Sequence, residues 1–468
     1  MNASIAKLFG LSLLLFAILI GFTSRWTVFE ADALRDNPKN KRAILEEQRI
    51  KRGTIYAADG TVLARSVKRG EVYVRRYPQG PLFGHPIGYY NVTYNKSELE
   101  RSRNGDLAGT DDSIGSLIDQ LSGTRPEGND VHTTLDPKAQ RVARQRLAGQ
   151  KGAVVALDPQ TGAVKAMYSS PGFDTRQVGR RAPSEVSGAF NRATGGGYPP
   201  GSTFKVVTAI AAIDSGEYSP SDTVSGENGK EISGVPLNNF GGQDFGDITL
   251  TEALTKSVNT VWAEVAEKLG KGTMQKYMAR LGFGEDLALD LPDADKRASG
   301  DYVGRKPVPA TDDAVDVGRM AIGQDKLLVT PTQMAMVAAA VANDGRLMRP
   351  HITDRIVDPD GRTVQDFEPE QMSRVMSADS ARKVNEMMQN VVREGTGTAG
   401  ALRGIDVAGK TGTAEVGRSC PNQAWFIGFA PAANPKVAVA VTLECTAGTG
   451  GVNAAPIARD VMQALLGN

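Results

Sequence analysis

The chain has 468 residues, 40% of them hydrophobic, and its 54 basic and 53 acidic side chains leave a formal net charge of +1. That length requires two or more domains, and the even scatter of both charge signs offers neither a nucleic-acid surface nor an acidic tail. His85, His132 and His351 lie far apart and outside metal-ligand spacing, which weighs against a zinc site or a Ser-His-Asp triad, and Cys420 and Cys445 form no Cys-x-x-Cys pair.

Leu8 to Phe22 is almost continuously apolar between Lys7 and Arg25, at the lower edge of what spans a bilayer. A membrane anchor over 1–25 is the expectation, with a cleaved signal peptide as its rival. Arg25, Arg35, Lys39, Lys41 and Arg42 outnumber Lys7, so charge counting does not fix the orientation. Either way the bulk of the chain is expected outside the cytoplasm. Residues 26–150 read as a separate, irregular, β-rich module. It has a hairpin signal around Asp59-Gly60, a strand over Val131 to Leu135 and a short amphipathic helix over Pro137 to Leu147.

At Gly152 the character changes, and 151–468 reads as one α+β domain. Ala153–Leu157 and Ala163–Tyr168 are predicted strands around a Pro-Gln-Thr-Gly turn. Helices follow, one opened by the capping-box pattern Thr249-Leu250-Thr251-Glu252 and one over Val261 to Leu269 closed by Gly270. Others are predicted at Pro331–Ala342 and Ala378–Arg393. Three strands come next, near Val407–Thr413, Ala424–Ala430 and Lys436–Leu443, then a helix over Pro456–Leu466. The first pair of strands and the last three are expected to meet in one five-stranded antiparallel sheet flanked by helices.

Three short stretches carry chemistry. Tyr198-Pro199-Pro200-Gly201 precedes Ser202-Thr203-Phe204-Lys205, and a helix is expected to start just after the prolines. Ser202 and Lys205 then share a face of its first turn, so a desolvated lysine can take the serine's proton. The Ser202 N–H at the helix start is one oxyanion donor. Taken alone, the tetrapeptide reads more readily as a helix start with a capping serine. Ser257-Val258-Asn259 offers a serine that relays a proton and an amide that grips a peptide group, or simply two polar loop residues. Lys410-Thr411-Gly412-Thr413 lies on a predicted strand. Gly412 leaves room for a substrate backbone, the Thr411 and Thr413 hydroxyls are placed to hold a carboxylate, and the Thr413 N–H is a second oxyanion donor. Strict alternation points Lys410 away from both threonines, which the sequence leaves open.

Ser202-x-x-Lys205, Ser257-x-Asn259 and Lys410-Thr411-Gly412, in this order, form the kind of set found in penicillin-binding proteins and class A β-lactamases. Arg52-Gly53-Thr54-Ile55, Gly152 to Pro159, Asn191-Arg192-Ala193, Tyr198-Pro199-Pro200-Gly201, Thr330-Pro331 and Gly395-Thr396-Gly397 extend the likeness over nearly the whole chain. The chain resembles the monofunctional class B penicillin-binding proteins. Asp325 departs from the pattern, standing where many relatives carry glycine.

The resemblance implies D,D-transpeptidation of peptidoglycan. Ser202 would attack a D-Ala-D-Ala carbonyl, with Lys205 as base, Ser257 passing a proton towards the leaving nitrogen, Lys410 tuning Ser257, and Asn259 positioning the donor. β-Lactams would be trapped as acyl-enzymes. It implies no metal or organic cofactor. The module before Gly152 would be a pedestal that meets partners, with polymerisation left to a membrane-embedded glycosyltransferase.

Three other readings compete with this one. Gly404 to Thr411 fits the phosphate-binding pattern G-x-x-x-x-G-K-[ST], but no strand precedes it and no helical periodicity follows. A β-lactamase shares the constellation but not the membrane segment or the long leading module. The third is a β-lactam-sensing receptor or an idle scaffold of the division machinery, and the complete constellation argues against idleness. Finally, Cys420 and Cys445 are nearly symmetric about a hairpin loop centred on Ala433, which predicts a disulfide, with two free thiols as the alternative.

Overall fold

The computed structural model describes residues 2–26, 30, 45, 47–110, 127–417 and 419–467. Arg35, Lys39, Lys41 and Arg42, and residues 111–126 of the expected pedestal, lie outside the described residues. Helix α1 (Asn2–Ser24) contains the 21-residue apolar segment Ser4–Ser24, with no part of it buried against protein. At about 1.5 Å per residue that is roughly the thickness of a bilayer's hydrocarbon core.

Strands β1 (Ile55–Tyr56), β2 (Val62–Arg69) and β3 (Val72–Arg76) form the expected hairpin and one more arm, with β4 (Asp130–Thr133) parallel to β1. Gly53 sits where a Cβ would lie 1.8 Å from Asn129 O, so only glycine allows the two backbones to pass there. Its neighbour Arg52 is buried, donating to Glu100 Oε2 at 2.9 Å, while Arg75 donates to Glu100 Oε1 at 2.6 Å. Burial alone would raise the Glu100 pKa, but Arg75 and Arg52 outweigh it and hold the carboxyl below its usual value.

Helix α2 (Pro137–Arg146), N-capped by Asp136, leads into β5 (Gly152–Leu157) and β6 (Val164–Ser170). Then come α3 (Lys205–Asp214), α4 (Leu250–Thr255), α5 (Asn259–Arg280) and α6 (Pro331–Ala342). The capping box at α4 forms, Thr249 Oγ1 accepting from Glu252 N while Glu252 accepts from Thr249 N. Gly270 takes φ 76° and breaks α5 where a stop was expected. The chain then resumes as helix because Met274, Tyr277 and Met278 have core to bury against.

Strands β7 (Thr353–Val357) and β8 (Thr363–Asp366) return to the N-terminal module and complete a six-stranded sheet ordered β8-β7-β4-β1-β2-β3. After α7 (Ala378–Arg393), strands β9 (Ala408–Gly417), β10 (Cys420–Ala430) and β11 (Val437–Thr446) join β5 and β6 in a five-stranded antiparallel sheet, order β9-β10-β11-β5-β6. Helix α8 (Ala455–Leu466) closes the chain.

Alternation along these strands builds a layered core. Ala153, Val155, Met167, Trp425, Ile427 and Ala440 lie on the side of the wholly buried α6, in one core with α3 and α5. Val154, Ala156, Phe426, Val439 and Val441 face α2 and α8.

The hairpin arms β10 and β11 run further than the apolar pattern indicates. The register holds from Ala430↔Val437 to Ala424↔Leu443, then shifts through a bulge to Asn422↔Thr446. Cys445 lies in that bulge at φ 56° and is bonded to Cys420, with Cα atoms 4.3 Å apart. Pro421, which has no N–H to give a strand, and the polar Asn422 and Gln423 hid this extension from a reading based on hydrophobicity.

Candidate active site

The turn before α3 is held from three sides. Tyr198 and Val329 exchange backbone hydrogen bonds at 3.0 and 2.9 Å, Trp425 Nε1 donates to Pro199 O at 2.9 Å, and Gly201 N donates to Gly323 O at 2.9 Å. Residues Gly201–Phe204 form a 3₁₀ turn, and α-helix begins only at Lys205, one turn later than expected. The difference brings Ser202 and Lys205 closer to eclipse, because a 3₁₀ helix has about three residues per turn. Gly201 lies against strand β9. A Cβ built on it would be 3.0 Å from both Thr413 C and Ala414 N, so the Ser202 turn abuts the Thr413 peptide.

Lys205 is fully buried, and its Nζ donates to Ser257 O at 2.7 Å and Asn259 Oδ1 at 2.6 Å, with Ser257 Oγ at 3.3 Å. Lys410, also fully buried, donates from Nζ to Ser257 Oγ at 2.8 Å and to Thr411 O at 3.1 Å. The Ser257 hydroxyl therefore sits between two lysines. Burial pushes the Lys205 pKa well below the usual lysine value, and Lys410 pushes it the same way. Burial alone brings Lys410 down to about 7. Ser257 reaches this position at φ 60°, in the short link between α4 and α5, a backbone state uncommon for a residue with a side chain.

The threonine hydroxyls have partners apart from Lys410 Nζ. Thr411 Oγ1 pairs with Thr396 Oγ1 at 2.5 Å, and Thr413 Oγ1 accepts from Gly450 N at 3.1 Å. The space left by Gly412 differs from the expectation. A Cβ there would lie 2.6 Å from Pro200 O and 3.1 Å from Thr203 N, so the Ser202 turn, rather than a substrate backbone, fills that space. Asp325 takes φ 62°, a conformation a short polar side chain tolerates, and its Oδ2 accepts from Asp316 N at 3.1 Å.

The pattern described as the penicillin binding protein transpeptidase domain matches residues 152–463, and that of the penicillin binding protein A dimerisation domain matches 52–131. Peptidoglycan D,D-transpeptidase PbpA of Mycolicibacterium smegmatis is 36% identical, the alignment covering 100% of this chain and 99% of the relative. The chain belongs to the penicillin-binding transpeptidase family.

Penicillin-binding protein A from M. tuberculosis, solved as a ceftriaxone acyl-enzyme complex, superposes on this family member with a TM-score of 0.80 at 32% identity, covering 90% of this chain and 100% of that one. The D,D-transpeptidase domain of a peptidoglycan glycosyltransferase from Eggerthella lenta gives 0.78 at 33% identity, with 90% and 99% covered.

Sequence motifs did not disclose several supports of this candidate site. Glu444 Oε1 accepts from Tyr198 OH at 2.6 Å and from Arg192 Nε at 2.7 Å, so the residue beside Cys445 anchors the approach to Ser202. Thr396 was visible only as part of a Gly-Thr-Gly string. Asn238 and Asn239, which hold the Ser257–Asn259 link, carried no signal: an Asn pair in a Gly-rich stretch reads as a turn.

Proposed function

We propose that this chain is a peptidoglycan D,D-transpeptidase working through a Ser202 acyl-enzyme. The observation that carries the reading is the Ser257 hydroxyl lying between two buried lysines, one of which is a turn from Ser202. A neutral lysine amine has two N–H groups and one lone pair. Ser257 O and Asn259 Oδ1 receive the two N–H groups of Lys205, which leaves the lone pair for the Ser202 proton.

As Ser202 Oγ attacks the carbonyl carbon between two D-alanines, its proton passes to Lys205. The Ser202 and Thr413 N–H groups receive the developing oxyanion. Collapse breaks the peptide C–N bond, and the leaving nitrogen takes a proton through Ser257, replenished from Lys205 or Lys410. An amine of a neighbouring stem peptide then attacks the ester, and Ser202 recovers its proton. Asn259 has one amide N–H left for the donor backbone after donating to Asn238 O at 3.1 Å. Thr411, paired with Thr396, and Thr413 form the place for the donor's carboxylate, with Lys410 beneath.

In this reading 1–25 is a single-pass membrane anchor, 26–150 a pedestal and 151–468 the transpeptidase domain outside the cytoplasm. A membrane-embedded glycosyltransferase supplies the glycan strand. The reading is tested with a D-Ala-D-Ala donor peptide and an amine acceptor: one D-Ala is released per amide formed. Donor hydrolysis with no transfer at any acceptor concentration contradicts it.

A further inference from the structure

Helix α5 begins at Asn259, and its N-cap residue Val258 has no side-chain oxygen to receive the first amide donors. Those donors are met from another part of the chain. Asn239 Oδ1 accepts from Asn259 N at 3.0 Å, Thr260 N at 3.1 Å and Thr260 Oγ1 at 3.2 Å. The other end of the same amide donates to Gly226 O and Gln243 O, both at 3.1 Å, and the Asn239 backbone N–H donates to Asn228 Oδ1 at 2.8 Å. Asn239 is 3% exposed. Its neighbour contributes as well: Asn238 O accepts from Asn259 Nδ2 at 3.1 Å, which turns Asn259 Oδ1 towards Lys205 Nζ at 2.6 Å.

A serine or aspartate at position 258 would cap this helix with no outside help. Capping it from the 226–246 segment makes the Lys205 contacts conditional on how that segment sits. The tip of that segment is open to solvent: Gly241 and Gly242 take φ 67° and 69°, and Phe240 is 73% exposed. We propose that Asn239 is a positioning residue for acylation, a cap supplied from a separate segment that fixes Ser257 and Asn259 against Lys205 and ties their geometry to the 226–246 segment. This rests on Ser202 being the nucleophile and Lys205 its base.

Among the described residues, Lys410 from β9 is the charged group that bears on Lys205. Ser257 and Asn259, which touch it from the α4–α5 link and from α5, are neutral. Two substitutions separate the parts Asn239 plays. Asn239→Ala removes the cap and the tie together. Asn239→Asp keeps the accepting oxygen and adds a negative charge at the helix start, where charge of that sign is favoured. It loses the donor to Gly226 O and Gln243 O.

The assay is penicillin acylation of the detergent-solubilised full chain at saturating antibiotic, between about pH 5 and 10. Asn239→Ala lowers the first-order acylation constant about tenfold or more, with a smaller change in the half-saturating concentration. In Asn239→Asp the plateau stays within about threefold of wild type, because the cap is kept. Its acid limb moves up by roughly half a unit or more, because the new carboxylate favours protonated Lys205. A merely structural residue would change thermal stability and leave the constant per folded molecule unmoved in Asn239→Ala. An unmoved limb, or a plateau as low as that of Asn239→Ala, overturns the proposal, and the Asn239→Asp profile decides alone if Asn239→Ala does not fold. Failure of the underlying reading looks different, since the wild-type label would then map to a residue other than Ser202.

Discussion

Gly412→Ala tests how tightly the nucleophile turn is held against strand β9. The added Cβ would lie 2.6 Å from Pro200 O, about 0.8 Å short of the 3.4 Å at which ordinary contact begins, and 3.1 Å from Thr203 N. Both sides of this contact are backbone. β9 is paired with β10 through Gly412↔Trp425, and the ring of that same Trp425 fixes Pro199 O. The turn has to shift away by most of the shortfall, and Ser202 moves with it. A displacement approaching 1 Å at a reacting group costs on the order of a hundredfold in rate, or about 2.7 kcal/mol of barrier. Overpacking of this kind costs roughly 1–3 kcal/mol of stability. The expected result is a folded protein with a melting temperature a few degrees lower and acylation by a fluorescent penicillin slowed about 10- to 100-fold, measured by quenched-flow. Gly272→Ala is the control. Its Cβ would meet nothing within 4 Å, so acylation is unchanged and the helix is, if anything, more stable. Wild-type acylation by Gly412→Ala would refute the argument that glycine is needed there for the turn.

Burial holds the Lys410 pKa at about 7 against an ordinary 10.5. Between those values the unfolded chain binds a proton the folded chain lacks, so this group's contribution to stability rises with pH. Urea unfolding at pH 7 and pH 10 should therefore show wild type gaining a few kcal/mol on Lys410→Met, and a constant difference contradicts the buried, depressed lysine. Cys420 and Cys445 are separated by 25 positions, and losing a cross-link of that span costs about 3 kcal/mol. Cys420→Ser with Cys445→Ser should melt several degrees lower than the oxidised parent, and equal melting temperatures contradict a stabilising bond. Deleting residues 1–25 should leave a protein that stays in solution without detergent and still binds penicillin, as centrifugation and gel fluorescence would show. Aggregation with no labelling under any solubilising condition counts against the anchor assignment.

The parts of the fold legible in the sequence are those fixed by local chemistry. Thr330 capping a helix that opens with Pro331, and the amphipathic run Ala378–Arg393 before Gly395, gave both helices their observed ends. The three motifs named the residues that gather around Ser257, because each motif is short and its spacing is set by one turn or one strand. The joining of the first two and last three strands of 151–468 in one sheet was legible, but the completion of the N-terminal sheet was not: nothing in Thr353–Val357 says that it joins β4, more than two hundred positions earlier. Nor was the 3₁₀ geometry at Ser202, which depends on Gly323, Trp425 and Gly412 closing around the turn. Asn239 was missed for the same reason, since a cap supplied from another segment leaves no mark beside the helix it caps.

The central claim is that Ser202 is the nucleophile, and mapping the penicillin adduct on the intact full-length chain tests it most directly. Digestion after labelling should place one penicilloyl group on the peptide carrying Ser202, and folded Ser202→Ala should carry none. An adduct on any other residue, or one that persists in folded Ser202→Ala, would contradict the account.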